Sequence, residues 1–205
     1  MVQAVTASVS RQPDNKIKNI AIIGAGAAGI CMAKYMREAG FDVTVFEIGT
    51  KIGGMWCYEN DNGLSSAYRT LHINTSRGVT RFHDLDFNVD VQSFPDHWDM
   101  HQYLEDYAKH FDIVPLIRFN TTVTDIHSAF DPATETPRWN LELENGTIET
   151  FDTVLAASGH LFDPLHVPMF RDDFAGTYVH SHHYKEPEIF VGQRKNLFSL
   201  ADLHP

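Results

Sequence analysis

Residues 17–47, IKNIAIIGAGAAGICMAKYMREAGFDVTVFE, constrain this chain more than any other stretch. Residues 20–23 are a short apolar run rich in β-branched side chains, as a strand buried on both faces of a parallel sheet requires. Gly24, Gly26 and Gly29 follow at once in the pattern Gly-x-Gly-x-x-Gly. Apolar residues then recur at helical spacing at Ile30, Ala33 and Met36, and Gly40 supplies a C-terminal stop. Residues 43–46 read as a second strand, which Glu47 closes.

Each of these positions has a physical reason. Gly24 permits a tight strand-to-helix turn, Gly26 lets a pyrophosphate approach the backbone, and Gly29 lets helix and strand pack closely. With the intervening Ala25, Ala27 and Ala28 they form a candidate phosphate loop that opens on a helix N-terminus, where unpaired N–H groups and the positive dipole end favour anions. Glu47 lies about twenty residues on, where a carboxylate accepts hydrogen bonds from ribose hydroxyls. It would repel a 2′-phosphate, so the site suits FAD or NAD and not NADP. A glycine triplet alone is a weak signal, but strand, triplet, helix, strand and acid in this order are specific.

Charge narrows the partners. The 205-residue chain carries a formal charge of −11 and no basic block, which argues against nucleic acid or an anionic membrane surface. No apolar run approaches about twenty residues, so no membrane span is expected. Residues 1–16 lack the pattern of a signal peptide and are expected to be a disordered lead-in, which makes the expected compartment cytoplasmic. Cys31 and Cys57 are accordingly expected to be free thiols, and the sequons at Asn74, Asn120 and Asn145 to be chance.

Beyond Glu47, Gly53 and Gly54 allow a close backbone approach, with Met55 and Trp56 as an apolar wall beside it. This is either a surface loop with a partly buried Trp or part of a flavin pocket. Met100, Tyr103, Leu104, Tyr107 and Phe111 form a helical apolar stripe that reads as core. Residues 123–130, 139–143 and 147–151 look like strands of a small β-meander over about 120–151, the last two joined by the hairpin signal Glu144-Asn145-Gly146. Residues 153–157 read as another buried strand, ending in Ser158-Gly159. The expected fold class is α/β, a Rossmann-like parallel sheet with this meander attached. His180, His182 and His183 raise the question of a metal, two of them alternating on one strand face. With no carboxylate or cysteine at ligand spacing, no metal is expected.

These pieces together resemble the flavin-containing monooxygenases, from residue 17 to about Lys195. The family's glycine motif, terminal acid and Gly-Gly-x-Trp element are all present. Ser66, Tyr68, Leu71, Asn74 and Ser76 stand in its Ser-x-Tyr-x-x-Leu-x-x-Asn-x-Ser register. Phe174, Gly176, His180 and Tyr184 match its Phe-x-Gly-x-x-x-His-x-x-x-Tyr signature. The family's Asp-Phe-Pro triplet is present only loosely, in residues 84–87 and 93–95, and Ser158 replaces the Thr of its Ala-Thr-Gly element.

The resemblance implies a two-dinucleotide-binding flavoprotein that uses FAD, NADPH and O2 to oxygenate an amine nitrogen or a sulfide through a C4a-hydroperoxyflavin. It names Asn74 as the active-site residue beside the flavin. It also implies FAD contacts from Gly24, Ala25, Gly26, Ala27, Ala28, Gly29, Glu47, Gly54, Met55, Trp56, Asn74, Thr75, Val123, Ser158 and Gly159, and makes His180 and Tyr184 a link between domains. Tyr184 stands where Baeyer–Villiger relatives usually carry Trp. Two alternatives stay open: a Baeyer–Villiger enzyme, and a non-catalytic FAD-binding module. A disulfide reductase is disfavoured, since no redox cysteine pair follows the first helix.

The resemblance divides the chain into a lead-in (1–16), a FAD-binding domain (17–165), and a linker with the start of an NADPH-binding domain (166–205). In the family, a second glycine triplet follows the signature and binds NADPH. Here NLFSLADLHP follows instead, so the chain is expected to be an incomplete form that lacks its main NADPH domain and does not oxidise NADPH.

Overall fold

The β-branched run after Lys18 becomes the central strand of a sheet. In a computed structural model, which describes residues 17–132, 136–166 and 175–192, β1 (Asn19–Ile23) lies between β2 (Asp42–Phe46) and β7 (Thr153–Ala156), with β3 (Ile117–Arg118) beyond β2. All pairings are parallel. The expected lead-in 1–16, Phe174 and residues 193–205 lie outside the described residues.

Helix α1 (Ala27–Glu38) forms the crossover from β1 to β2 and buries Gly29, Ile30 and Ala33. Gly40 ends it as expected. At φ +89° it donates its N–H to Arg37 O (2.9 Å), and Phe41 N–H reaches back to Met36 O (3.1 Å), the paired closure of a Schellman motif. Helix α3 (His97–His110) starts at a capping box in which Asp96 and Asp99 exchange side-chain and backbone bonds. Its apolar stripe faces inward: Met100, Tyr103, Leu104 and Tyr107 are buried in one cluster with Ile22, Ile30 and Val45. Each such side chain adds about 1.5–3 kcal/mol of burial. A short helix, α2 (Arg77–Thr80), precedes them in the chain.

The meander forms as read, with β4 (Val123–Asp131), β5 (Thr136–Leu143) and β6 (Ile148–Phe151) antiparallel, and Gly146 at φ +81° in the hairpin. Leu141, Leu143 and Phe151 pack on Ala21 and Phe46 of the parallel sheet. Asp152 fastens the two sheets, accepting the N–H groups of Lys18 (2.7 Å) and Asn19 (2.8 Å) while pairing with Arg138 (2.7 Å). Among the described residues no helix is long and apolar enough to cross a membrane.

One expectation changes in the sheet. Residues 153–157 read as a buried strand, but β7 is the sheet's edge in this structure: Val154 and Leu155 are only half-buried and Ala156 is exposed, because β1 alone pairs with it. Lys34 of α1 is buried, its ammonium 2.6 Å from Asp84 and 2.9 Å from Glu38. The hydrogen bonds it donates to Asp84 and then to Glu38 hold the Lys34 ammonium well above its ordinary pKa.

His97, the first residue of α3, is fully buried. One ring nitrogen lies 3.1 Å from Arg69 O and the other, Nδ1, has no partner among the described residues. Burial pushes its pKa below the ordinary value of 6.5. The folded state therefore binds fewer protons than the unfolded chain just below pH 6.5, so stability is complete above that value and declines as pH falls through it. The urea midpoint is expected to drop between about pH 7.5 and about pH 5.5. His97→Asn is expected to shallow that slope without removing it, since burial also depresses His180 and His183.

Candidate functional site

The turn after β1 is shaped by two glycines that cannot be anything else. Gly24 takes φ +102° and donates its N–H to Phe46 O (2.7 Å), and a Cβ there would sit 2.6 Å from Ala157 O. A Cβ on Gly29 would lie 1.8 Å from Gly24 O. Gly26 is different. The nearest atom to a Cβ at that position is Gly54 Cα at 3.7 Å, an ordinary contact. Packing does not require a glycine there, so its bare backbone points to a group that must come close from outside.

A second loop faces the first. Gly53 N–H donates to Ala25 O (3.1 Å), and Gly54, at φ +55°, brings its backbone against Gly26. A Cβ on Gly53 would strike the His101 ring at 2.7 Å, while His101 Nε2 lies 2.9 Å from Ile52 O. Met55 and Trp56 follow in a 3-10 turn (Gly54–Trp56), both half-buried, with Trp56 packed on the main core. Ala25 is buried, Ala27 half-buried and Ala28 exposed. The N-terminus of α1 carries no side-chain cap and no acid in its first turn, so nothing on the helix competes for an anion there.

Glu47 sits at the end of β2 with 5% of its surface exposed. One carboxylate oxygen accepts the Ala25 N–H (2.7 Å) and the other the Gly49 N–H (2.8 Å). The acid thus holds the glycine loop to the strand end. Each oxygen keeps a further lone pair with which to accept a ribose hydroxyl. Sequence spacing pointed to the second role and was silent on the first.

Ala157 N–H extends the sheet to Ile23 O (2.9 Å), which leaves Ser158 and Gly159 exposed beside the Gly24 turn, Gly159 at φ +82°. Val123 opens β4 within the cluster that joins the two sheets. The chain entering β4 is tied to the Glu47 end of β2 by Thr121 N–H to Glu47 O (2.9 Å). The fold therefore gathers Gly24, Ala25, Gly26, Gly29, Glu47, Gly54 and the Ala157–Ser158 corner. Asn74 and Thr75 lie exposed on a separate strip. It is fixed by Ile73 N–H to Pro95 O (2.9 Å) and Arg77 N–H to Ser93 O (2.8 Å), through the segment before α3.

The histidines do not alternate on a strand. Ser181–His183 is a 3-10 turn, because His180 Nδ1 accepts the His182 N–H (3.1 Å) and His180 O accepts the His183 N–H (2.9 Å). Among the described residues no group of three or more His, Cys, Asp or Glu is arranged to hold a metal ion. Tyr184 packs on Tyr68 with ring centres 5.4 Å apart, so the end of the signature lies against the Ser66–Tyr68 register. Cys31 and Cys57 are free, and burial raises both thiols, which keeps them protonated.

With this geometry in place, comparison with known proteins is decisive. The sequence pattern of the family described as "Flavin-binding monooxygenase-like" matches residues 17–202. The chain belongs to that family. It is 33% identical over 200 residues to flavin-containing monooxygenase FMO GS-OX-like 2 of Arabidopsis thaliana, covering 86% of this chain and 43% of that protein. It is 31% identical over 194 residues to the human dimethylaniline monooxygenase (N-oxide-forming) 4, covering 90% of this chain and 34% of that one. Among solved structures, the S-allyl-L-cysteine S-oxygenase of Allium sativum superposes with a TM-score of 0.71 at 29% identity, over 85% of this chain and 44% of the other. The chain spans less than half the length of each of these relatives.

Proposed function

We propose that this chain carries the FAD-binding part of a flavin-dependent monooxygenase that uses NADPH and O2 to oxygenate a soft nucleophile, an amine nitrogen or a sulfide sulfur. The observation that carries the reading is the pair of bare backbones at Gly26 and Gly54, facing one another beside Glu47. Relatives named for N-oxide formation and for S-oxygenation support the substrate class. In this reading residues 17–165 hold FAD, residues 166–205 lead toward the NADPH-binding domain, and the protein is cytoplasmic.

Residues 24–29 would hold the pyrophosphate on backbone N–H groups, Glu47 the ribose, and Gly54, Met55 and Trp56 an apolar wall that excludes water. Ser158, Gly159, Val123 and Thr75 complete the FAD contacts. When bound, FAD supplies the electron transfer and the oxygen chemistry, and the protein positions and shields it. Asn74 offers a neutral amide that donates a hydrogen bond without itself being oxidised. Tyr184, which stands where Baeyer–Villiger relatives usually carry Trp, favours this chemistry over the Baeyer–Villiger reading.

Titration of the purified chain with FAD, followed by flavin fluorescence, tests the first half. Saturable binding is expected, and its absence would overturn the reading. In a chain completed through the NADPH-binding domain, oxygen uptake driven by NADPH, with a tertiary amine or a thioether present, separates an enzyme from a binding module. In the same completed chain, Asn74→Ala should leave stability unchanged, because the side chain is exposed, and FAD still bound, while lowering oxygenated product per NADPH consumed. Unchanged product yield would return Asn74 to the status of a loop residue.

A further inference from the structure

Lys185 follows the last residue of the family signature and is half-buried among backbone carbonyls. Its ammonium donates to Ser65 O (2.5 Å) and to Ala67 O (2.9 Å), and among the described residues it forms no ion pair. Burial lowers its pKa from the ordinary lysine value, as expected for a cation without an acid. One ammonium therefore holds the Ser65 and Ala67 carbonyls together. The bond is returned by Arg69 N–H to Lys185 O (2.9 Å).

Ser65 carries the connection onward. The residue is 3% exposed, and its hydroxyl donates to Met55 O (2.7 Å) while accepting the Ala67 N–H (3.2 Å). Met55 is the middle residue of the Gly54–Trp56 turn, the same turn whose first residue faces Gly26. A continuous line therefore runs from Lys185 through Ser65 to the wall of the candidate site, linking residues 120 positions apart in the chain.

We propose that Lys185 is a positioning residue for the FAD site, setting the Gly54–Trp56 turn against the glycine loop through the Ser65 backbone and hydroxyl. The proposal rests on the FAD reading for its consequence, but its mechanical part can be read without the cofactor. Hydrogen exchange of the apoprotein reports the turn directly, because the Trp56 N–H bonds Gly53 O (3.1 Å) and the Cys57 N–H bonds Gly54 O (3.2 Å).

Lys185→Met is expected to speed exchange at the Trp56 and Cys57 amides by roughly tenfold or more, as loss of charge-assisted hydrogen bonds predicts. Amides of β5 should not change, and Lys185→Arg, which keeps two donors, should restore the slow rate. FAD affinity should fall by about the same factor, and Ser65→Ala combined with Lys185→Met should weaken it little beyond either change alone. If Lys185→Met does not fold, Ser65→Ala cuts the same line at its middle and must accelerate the same two amides. Unchanged exchange at Trp56 and Cys57 in a folded variant overturns the proposal. A parent chain that binds no FAD overturns the FAD reading, and the exchange result then still decides the role of Lys185.

Discussion

Gly29→Ala is expected to prevent the chain from folding stably, whereas Gly26→Ala should leave the apoprotein intact and remove its FAD. The two glycines belong to one motif, yet their surroundings differ. A methyl on Gly29 would stand 1.8 Å from the carbonyl oxygen of Gly24, well inside any allowed contact, and that oxygen is backbone in the β1–α1 turn. Relief requires moving α1 off the sheet, which breaks the packing of Ile30 and Ala33. Overpacking in a well-packed core commonly costs about 1–3 kcal/mol and sometimes more, and a backbone clash of this depth lies at the upper end or beyond. Against a domain stability of about 5–15 kcal/mol, that is severe.

On Gly26 the same methyl meets nothing closer than 3.7 Å, so denaturant midpoints of parent and Gly26→Ala apoprotein should coincide. The methyl instead occupies the approach to the backbone N–H groups. A loss of about a hundredfold in FAD affinity, or about 3 kcal/mol, is expected. Equal FAD affinity in Gly26→Ala would remove the pyrophosphate from this loop.

Glu47 carries the second large effect. Its carboxylate is buried and accepts backbone N–H groups from both Ala25 and Gly49. Glu47→Arg would put a cation against those two donors and leave both unsatisfied, which in a buried site costs about 1–3 kcal/mol for each group, and more for the charge itself. Loss of FAD in that variant would follow from a disrupted loop whether or not the acid touches ribose. Glu47→Gln separates the two roles. Its carbonyl can still accept one N–H, so the variant should fold with a reduced denaturation midpoint, while FAD affinity drops by at least about tenfold through the lost charge-assisted bonds to ribose. Lowered stability with parental FAD affinity in Glu47→Gln would assign Glu47 to the architecture alone.

The contrast between the glycines and the acid shows where sequence reading reaches its limit. The order β1, glycine turn, α1, β2 is written in residues that are neighbours in the chain, each with a local cause: β-branched residues, a turn that needs positive φ, a helical apolar stripe, a glycine stop at Gly40. The β5–β6 hairpin is local in the same way, turning at Gly146. So is the inward face of α3, where Met100, Tyr103, Leu104 and Tyr107 recur at helical spacing. These elements were legible because short-range geometry and side-chain periodicity leave few alternatives.

Other features depend on contacts between distant residues, which no local pattern encodes. β3 is two residues long, too short for any periodicity, and exists because Val45 and Phe46 offer it an edge. β7 has the apolar composition of a buried strand, and only its place at the end of the sheet leaves Ala156 exposed. The histidine run has a strand-like alternation that the His180 side chain defeats by capping a 3-10 turn. Nothing local marks Lys34 or Lys185, and only tertiary packing closes one over Asp84 and the other over two carbonyls. Chain-local pattern was enough to specify the dinucleotide-type crossover and the family to which the chain belongs. It took three-dimensional packing to bring Gly26 against Gly54, to make Glu47 hold the loop it follows, and to carry Lys185 back to Ser65, whose hydroxyl bonds Met55. A buried polar group must find its partner wherever the fold brings one within about 3 Å, however far away it lies in the chain.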